Sequence, residues 1–530
     1  MTKLSPNVER LLEQRYYKPG ETWETLVNRV VNHVCQGEAY DYKLQAKQLM
    51  FERVFIPNSP CLVNANTRSN GLFACFVVGP TEDTLEDGFN TLRDIAFIAK
   101  RGGGVGFTGS IMRPANSPVA GSAHGYSYGP NRYAEGVSFL MDMMTQSGFR
   151  KMALMYTLDV NHADIEDFLF LKQTLDETAL YNFNQSVMAD DVFMNKALQG
   201  NTREARLLEI MAKHAWSKAE PGMLFSDTIN DLAPYKYSHQ KIYGTNPCGE
   251  QPLPPYGSCN LGSINIAHDS FFTDNGKFDY MRFADTVGFA TQFLDNVGVV
   301  NEFPTERFAE WYNANRPVGV GIMGLADALL KLEIKYGSRE SLEFLDNVGN
   351  VLLQQSYQTS ERLGKERGIP IAAKIAGDAT GSYRRNITTV SIAPTGSIAF
   401  IAECSHGIEP IFSPTFTRID ERGEEYQFSH PLKTEEYFVS AIGQNTPTWK
   451  QQIDIVSTIQ KHCDSGVSKT INLPNSATVE DVYNAFVYAW ESECKGITVY
   501  RDGSRQFQIL NDVAEEDSLD QSCPSGACTI

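Results

Sequence analysis

Asn246-Pro247-Cys248-Gly249-Glu250, with Ser258-Cys259-Asn260-Leu261-Gly262 beginning ten positions after Cys248, is the stretch from which the rest of the chain is read. It places an amide, a thiol and a carboxylate within five residues. Pro247 fixes its own φ and biases Asn246 toward extended geometry, so the segment is not a regular helix. Gly249 lets the backbone turn sharply or lie close to a ligand. Two readings stand side by side. One is a tight turn around a buried, inert cysteine, because free cysteine is among the most buried residue types. The other is a loop tip that presents Cys248 with Glu250 close by.

The chain has 530 residues, enough for one large domain with appendages or for several small ones. Hydrophobic residues make up 42% and charged residues 21%, as in ordinary globular proteins. A net charge of −18 argues against non-specific binding to nucleic acid or to an anionic membrane. The first ten residues contain no apolar signal segment. The longest uncharged apolar stretch, 387–402, is interrupted by Pro394 and Gly396 and is too short to span a bilayer. A cytoplasmic protein is therefore expected. The ten cysteines (35, 61, 75, 248, 259, 404, 463, 494, 523 and 528) are scattered, without the Cys-x2-Cys pairs of a zinc knuckle. In a reducing compartment a disulfide among them is more readily catalytic than structural. No metal site is expected.

Residues 1–50 look helical, with Trp23, Leu26, Val27, Val30 and Val31 at roughly helical spacing. Short β-like runs follow at Cys75–Val78, Val318–Met323, Ile387–Ala393 and Ile497–Tyr500, separated by amphipathic stretches at 205–217, 281–300 and 342–366. Strands alternating with helices predict one α/β domain with a parallel or mixed sheet. Asn511–Ser522 holds five acids and no base, and reads as a flexible tether. It leads to Cys523 and Cys528, two cysteines with Pro524 and Gly526 between them, suited to thiol–disulfide exchange. The expected organisation is a helical region over 1–50, an α/β domain over 51–505 and a flexible acidic tail over 506–530.

Gly104, Gly106 and Gly109 form a G-x-G-x-x-G, but a Pro-, Gly- and Ser-rich loop follows, and no acid occurs before Glu135. A dinucleotide site is disfavoured, and a glycine-rich loop packing closely on something else is expected. Ala393-Pro394-Thr395-Gly396-Ser397 could bring backbone amides and hydroxyls to a helix start and hold a phosphate, although it is not a Walker A loop. Gly319 and Gly321 suit close strand–helix packing at least as well as ligand contact. His162 to Asp167 reads as a helix start with acids in its first turn.

Taken together, Pro57–Pro60, Ala74–Val77, Gly102–Gly106, Asn246–Glu250, Ser258–Asn265, Gly319–Leu325, Ala393–Ser397, Gly407–Pro410 and the cysteine tail closely resemble, in family order, the catalytic subunit of ribonucleotide reductases. The resemblance implies a ten-stranded α/β barrel of two five-stranded halves, with a central finger loop. It also implies roles. Cys248 would carry a thiyl radical and Glu250 would act as general base. Asn246 would bind the ribose hydroxyls. Cys75 and Cys259 would be the redox pair, re-reduced by Cys523 and Cys528 and ultimately by a thioredoxin- or glutaredoxin-like protein. Ala393, Pro394, Thr395, Gly396 and Ser397 would hold the substrate phosphates. The substrate would be a ribonucleotide, with a ribo- or deoxyribonucleoside triphosphate as effector, and the protein a homodimer or monomer.

Within that family, three features resemble the adenosylcobalamin-dependent class II. Few residues precede Arg15-Tyr16-Tyr17, too few for an ATP-cone. Ser468–Pro474 and Cys494–Ser504 look like class II sequence. Val499 precedes Tyr500, so the adjacent tyrosine pair of class I large subunits is not found there. The alternative is a class I large subunit that needs a separate radical-generating metal subunit.

Overall fold

The computed structural model describes residues 4–121, 124–145, 153–174, 183–419, 425–430, 436–441, 445–504 and 510–512. The strands are β1 (Phe55–Pro57), β2 (Cys75–Val77), β3 (Gly104–Thr108), β4 (Leu154–Asp159), β5 (Phe183–Ala189), β6 (Gly222–Phe225), β7 (Ser258–Asn265), β8 (Val318–Met323), β9 (Thr415–Ile419), β10 (Glu425–Ser429), β11 (Thr470–Leu473), β12 (Gly496–Arg501) and β13 (Leu510–Asp512). Strands β9, β10 and β13 form a small antiparallel sheet of their own. The other ten belong to one sheet.

That sheet is built as two parallel halves. Strands β2, β3, β4, β5 and β6 pair in that order, all parallel. In the second half β7 pairs β8 and β11 pairs β12, again in parallel. The segment 387–392 lies between these pairs. Val390 bridges Val320 of β8, and Ile392 bridges Val467 just before β11. Backbone hydrogen bonds continue the ladder on both sides: Val318 N–H to the Thr388 carbonyl (3.1 Å), Ile392 N–H to Gly466 (3.1 Å) and Ser468 N–H to Ile392 (2.8 Å). The halves meet antiparallel at β2–β7 and at β6–β12, which closes the barrel. The expected two five-stranded halves are present, and β1 lies outside them, antiparallel to β7.

Alternate residues of the strands face different layers, as the two-residue period of a strand requires. Cys75 and Val77 of β2, Leu224 of β6, and Cys259 and Leu261 of β7 pack together in an inner cluster. Phe76, Met223, Phe225 and Ile264 belong to the larger outer cluster shared with the helices. The expected β-like runs at 75–78, 318–323 and 497–500 correspond to β2, β8 and β12, whereas 387–393 joins the sheet through isolated bridges rather than as a continuous strand. The helical stretches at 205–217, 281–300 and 342–366 lie in helices Arg203–Lys218, Tyr280–Val300 and Arg339–Arg367. In the N-terminal part, Trp23, Leu26, Val27, Val30 and Val31 are the buried face of helix Trp23–Val34, started by a Thr22–Thr25 capping box. No described helix is long and apolar enough to cross a membrane.

A buried ionic knot ties the second half to its helices. Asp295, on helix Tyr280–Val300, is fully buried. It accepts hydrogen bonds from Arg316 Nε (3.1 Å), Arg385 Nε (3.0 Å), Arg367 Nη1 (3.0 Å) and Asn386 Nδ2 (3.2 Å). Arg316 immediately precedes the turn into β8, and Arg385 and Asn386 precede the 387–392 segment. Burial alone would raise the Asp295 carboxyl, but Arg316 and Arg385 beside it hold it below the ordinary carboxylate range. Its stabilisation is therefore present at neutral pH and is lost as pH falls through the lowered value. Asp295→Ala leaves Arg316 and Arg385 without their carboxylate, while Arg367 keeps Glu38, and is expected to cost about 3–5 kcal/mol in denaturant unfolding. A loss within the scatter of ordinary surface substitutions would show that the knot does not hold the barrel together.

Candidate active site

The segment quoted at the outset is a hairpin inside the barrel. Thr245 and Pro252 form an antiparallel bridge, and Asn246 N–H donates to the Gln251 carbonyl (3.1 Å). Asn246 Oδ1 accepts from Gln251 N–H (2.9 Å), and the Asn246 carbonyl accepts from Gly249 N–H (3.1 Å). Gly249 has φ +82°, the left-handed geometry that glycine adopts without strain. The result is a tight turn with Cys248 exposed at its tip and Asn246 and Glu250 buried on its two arms. Of the two readings of the pentapeptide, the presented thiol is the one observed.

Glycines of the wall admit this hairpin. A Cβ on Gly106 would lie 1.7 Å from the Thr245 carbonyl oxygen, and one on Gly104 would lie 3.1 Å from Pro247. Within the glycine-rich stretch, 104–108 is thus strand β3 rather than a loop, and what Gly104 and Gly106 pack against is the hairpin. On the opposite side, Gly466 N–H donates to the Glu250 carbonyl (2.8 Å), and Ser391 Oγ donates to the same oxygen (2.9 Å). Asn184 Nδ2 donates to the Pro247 carbonyl (3.3 Å).

Cys75 and Cys259 are directly opposed residues of β2 and β7. Opposed Cα atoms of an antiparallel pair are ~4.5–5.5 Å apart, within the span of a disulfide. The Cys75 thiol is 3.6 Å from Glu250 Oε1 and accepts from Asn246 Nδ2 at 3.2 Å. Cys259 Sγ lies 3.2 Å from the Asn260 carbonyl. Burial first, then the Glu250 charge, pushes both thiols well above the ordinary range, so both are protonated at neutral pH. Burial likewise raises the Glu250 carboxyl. Its Oε2 atom is buried without a hydrogen-bond partner, an arrangement that suits a hydroxyl brought by a ligand.

Ala393 to Ser397 follow directly on the 387–392 segment that flanks the hairpin. Thr395 is left-handed (φ 55°), its Oγ1 accepts from Gly407 N–H (2.7 Å), and helix Gly396–Ala402 opens after it. Ala393 and Thr395 are buried, whereas Pro394, Gly396 and Ser397 are partly exposed. Glu409, in the constrained turn 407–410, is tied to β11 through Lys469 Nζ (2.7 Å) and Thr470 N–H (2.8 Å). Gly319 and Gly321 are packing glycines, but against neighbouring strand segments rather than the expected helix: added Cβ atoms would meet Leu261 of β7 at 2.3 Å and the Ser391 carbonyl at 2.4 Å. His162 to Asp167 is an ordinary helix start: His162 Nδ1 accepts from Asp164 N–H, and helix Ile165–Thr174 carries Glu166 and Asp167 in its first turn. Cys523 and Cys528 lie outside the described residues. Sequence reasoning missed Ser391 and Gly466, whose contacts with Glu250 arise only when distant segments close the barrel.

Comparison with known proteins agrees with this architecture. The family model described as ribonucleotide reductase, barrel domain, matches residues 73–205, 199–375 and 373–500. A vitamin B12-dependent ribonucleoside-diphosphate reductase of Thermoplasma acidophilum is 36% identical, over 99% of this chain and 77% of its own length. One from Mycobacterium tuberculosis is 34% identical, over 99% and 84%. Among solved structures, the class Id ribonucleotide reductase alpha subunit of Actinobacillus ureae superposes with a TM-score of 0.81 at 19% identity, covering 94% of this chain and 97% of its own, and so shares the fold. Matches that run through the whole barrel, and through nearly all of the chain, establish that this protein belongs to the ribonucleotide reductase family.

Proposed function

We propose that this protein reduces ribonucleotides to 2′-deoxyribonucleotides with a thiyl radical on Cys248, a proton acceptor at Glu250 and the Cys75–Cys259 dithiol as reductant. The observation that carries the reading is the convergence, in one barrel, of an exposed thiol, a buried carboxylate with an unpartnered oxygen and two opposed buried thiols. The radical source is proposed to be adenosylcobalamin, as the names of the B12-dependent relatives suggest. The finger tip suits a bulky group: Cys248 is exposed, and a Cβ on Gly249 would meet nothing within 4 Å. Cys248 and Gly249 are the residues that would face it. When bound, adenosylcobalamin supplies an acceptor for the hydrogen atom of the Cys248 thiol. Val499, buried on β12 beside Tyr500, takes a place where the alternative, a class I subunit relaying a radical from a metal-containing partner, would have a tyrosine.

In this scheme the Cys248 sulfur radical takes the ribose 3′-hydrogen, and Glu250, in its carboxylate form, takes the 3′-hydroxyl proton. Asn246 orients the ribose hydroxyls. Cys75 and Cys259 together give two protons and two electrons: one proton leaves with the 2′-hydroxyl as water, the other hydrogen ends on C2′, and Glu250 returns the 3′-hydroxyl proton. The pair ends as a disulfide, and Cys248 returns the hydrogen to C3′. One ribonucleotide and two thiols become one deoxyribonucleotide, one disulfide and one water. Burial, which weakens both thiols as acids, fits Cys75 and Cys259 for this, because each must still hold its proton when the hydroxyl leaves. Ala393 to Ser397 would hold the phosphates at the start of helix Gly396–Ala402. The tail pair Cys523 and Cys528, over 506–530, would exchange with the barrel disulfide and be recharged by a thioredoxin-like protein. An effector nucleotide and a homodimeric or monomeric state complete the proposal.

Purified protein given adenosylcobalamin, a dithiol and each ribonucleoside di- or triphosphate is expected to release deoxynucleotide. Activity that appears only after a metal-containing partner is added would overturn the cobalamin assignment in favour of class I. Cys248→Ser is expected to bind ribonucleotide normally and to lose all turnover; turnover that survives would remove the radical from Cys248. Wild-type kcat is expected to rise with pH through a value above the ordinary carboxylate range, as Glu250 ionises. Glu250→Gln should lack that limb and lose about 10²–10⁴-fold in kcat. An unchanged pH profile in the variant would assign the base elsewhere.

A further inference from the structure

The segment Cys494-Lys495-Gly496, at the start of β12, contains a lysine that the proposed chemistry leaves unused. Lys495 is buried, and its ammonium donates to two backbone carbonyls of one turn, Asp464 (2.9 Å) and Ser465 (2.6 Å). Burial lowers it to about 8. A charge kept in such a place is costly, and packing alone would be served by an apolar side chain.

The turn it holds is fastened on its other side as well. The Asp464 carboxylate accepts from the N–H groups of Thr389 (2.9 Å) and Val390 (2.9 Å), which fixes the turn to the 387–392 segment. It also accepts from Arg384 Nη1 at 3.3 Å. The next residue, Gly466, meets the finger directly. Its N–H donates to the Glu250 carbonyl (2.8 Å), and a Cβ there would lie 2.7 Å from the Gly249 oxygen and 3.1 Å from the Glu250 carbonyl carbon. Ser391, one residue beyond the Asp464 anchor at Val390, supplies the second donor to the same oxygen (2.9 Å).

We propose that Lys495 is a positioning residue for the finger: by clamping the 464–466 turn, it sets the height of Glu250 in the barrel and therefore the reach of its carboxylate and of the Cys248 thiol. A continuous path of hydrogen bonds and chain runs from the ammonium through Ser465 and Gly466 to Glu250. Among the described residues the neutral Gln460 Nε2 also donates to the Ser465 carbonyl (3.2 Å), but no other lysine or arginine donates to the carbonyls of this turn. The kinetic consequence rests on the radical reading given above; the structural consequence does not.

Two variants test the clamp. Lys495→Met removes the ammonium. Gly466→Ala leaves the lysine in place and pushes on the finger backbone. Amide hydrogen exchange of the purified full chain, followed peptide by peptide, is expected to accelerate at least about tenfold over 245–252 in both, with helix Arg339–Arg367 unchanged. This readout needs no turnover, so it stands even if the protein proves not to reduce ribonucleotides. Acceleration spread evenly over the barrel would mean that Lys495 serves global stability only, and an unchanged finger would mean that the clamp carries no load; either result overturns the proposal. In the turnover assay, both variants should lower kcat by about a hundredfold with KM nearly unchanged, as a small misplacement of reacting groups does. A rise in KM at constant kcat would place Lys495 with substrate binding instead, and would also contradict the proposal.

Discussion

The interior of this barrel is occupied by backbone. Small barrels are ordinarily filled by side chains from their strands, but here the hairpin Thr245–Pro252 runs through the middle, and the wall has to make room for it. Gly106 shows how tight the fit is, since a single methyl group there would overlap the Thr245 carbonyl. On the facing side, Gly466 and Ser391 both donate to the Glu250 carbonyl. That bond pair joins the finger to segments brought together only by barrel closure. The spacing of Cys248, Glu250 and the two opposed cysteines therefore depends on how the finger is seated.

Seating also sets the electrostatics. Cys75, Cys259 and Glu250 are all buried, and burial disfavours the charged form of each. A thiolate pair beside a carboxylate would repel it, whereas neutral thiols can each keep a proton. Cys248 stands apart from them in exposure. The hairpin thus carries an open thiol at its tip, while the closed Cys75 thiol meets Asn246 and Glu250 on its arms. The ionic knot around Asp295 supports this at a distance, because Arg316, Arg385 and Asn386 stand at the entrances to β8 and to the segment that carries Ser391.

Much of this was legible in the chain. Pro247 and Gly249 required a turn, and the turn is there. β8 and β12 read as strands from their branched residues, and the long helices from their periodicity. The loop expected after Gly109 is observed, and the glycine-rich stretch packs closely on another segment, as its residues suggested. Its being strand β3 was not legible, because glycine weakens a strand locally and only the hairpin pressed against it explains the choice. Ile387–Ala393 reads as a strand, but its pairing depends on Asp464 and Gly466, far along the chain. Burial of Glu250 and exposure of Cys248, two residues apart, could not be read from sequence at all. The same is true of Lys495, whose partners are the carbonyls of a turn about thirty residues earlier.

The central claim is that the finger's thiol carries the radical. Electron paramagnetic resonance of protein frozen during turnover with adenosylcobalamin and ribonucleotide tests it most directly, comparing ordinary protein with protein grown on β-deuterated cysteine. The account predicts a radical signal whose width narrows on cysteine deuteration and which is lost in Cys248→Ala. A turnover-competent signal that ignores cysteine deuteration, or that persists without the Cys248 sulfur, would contradict it.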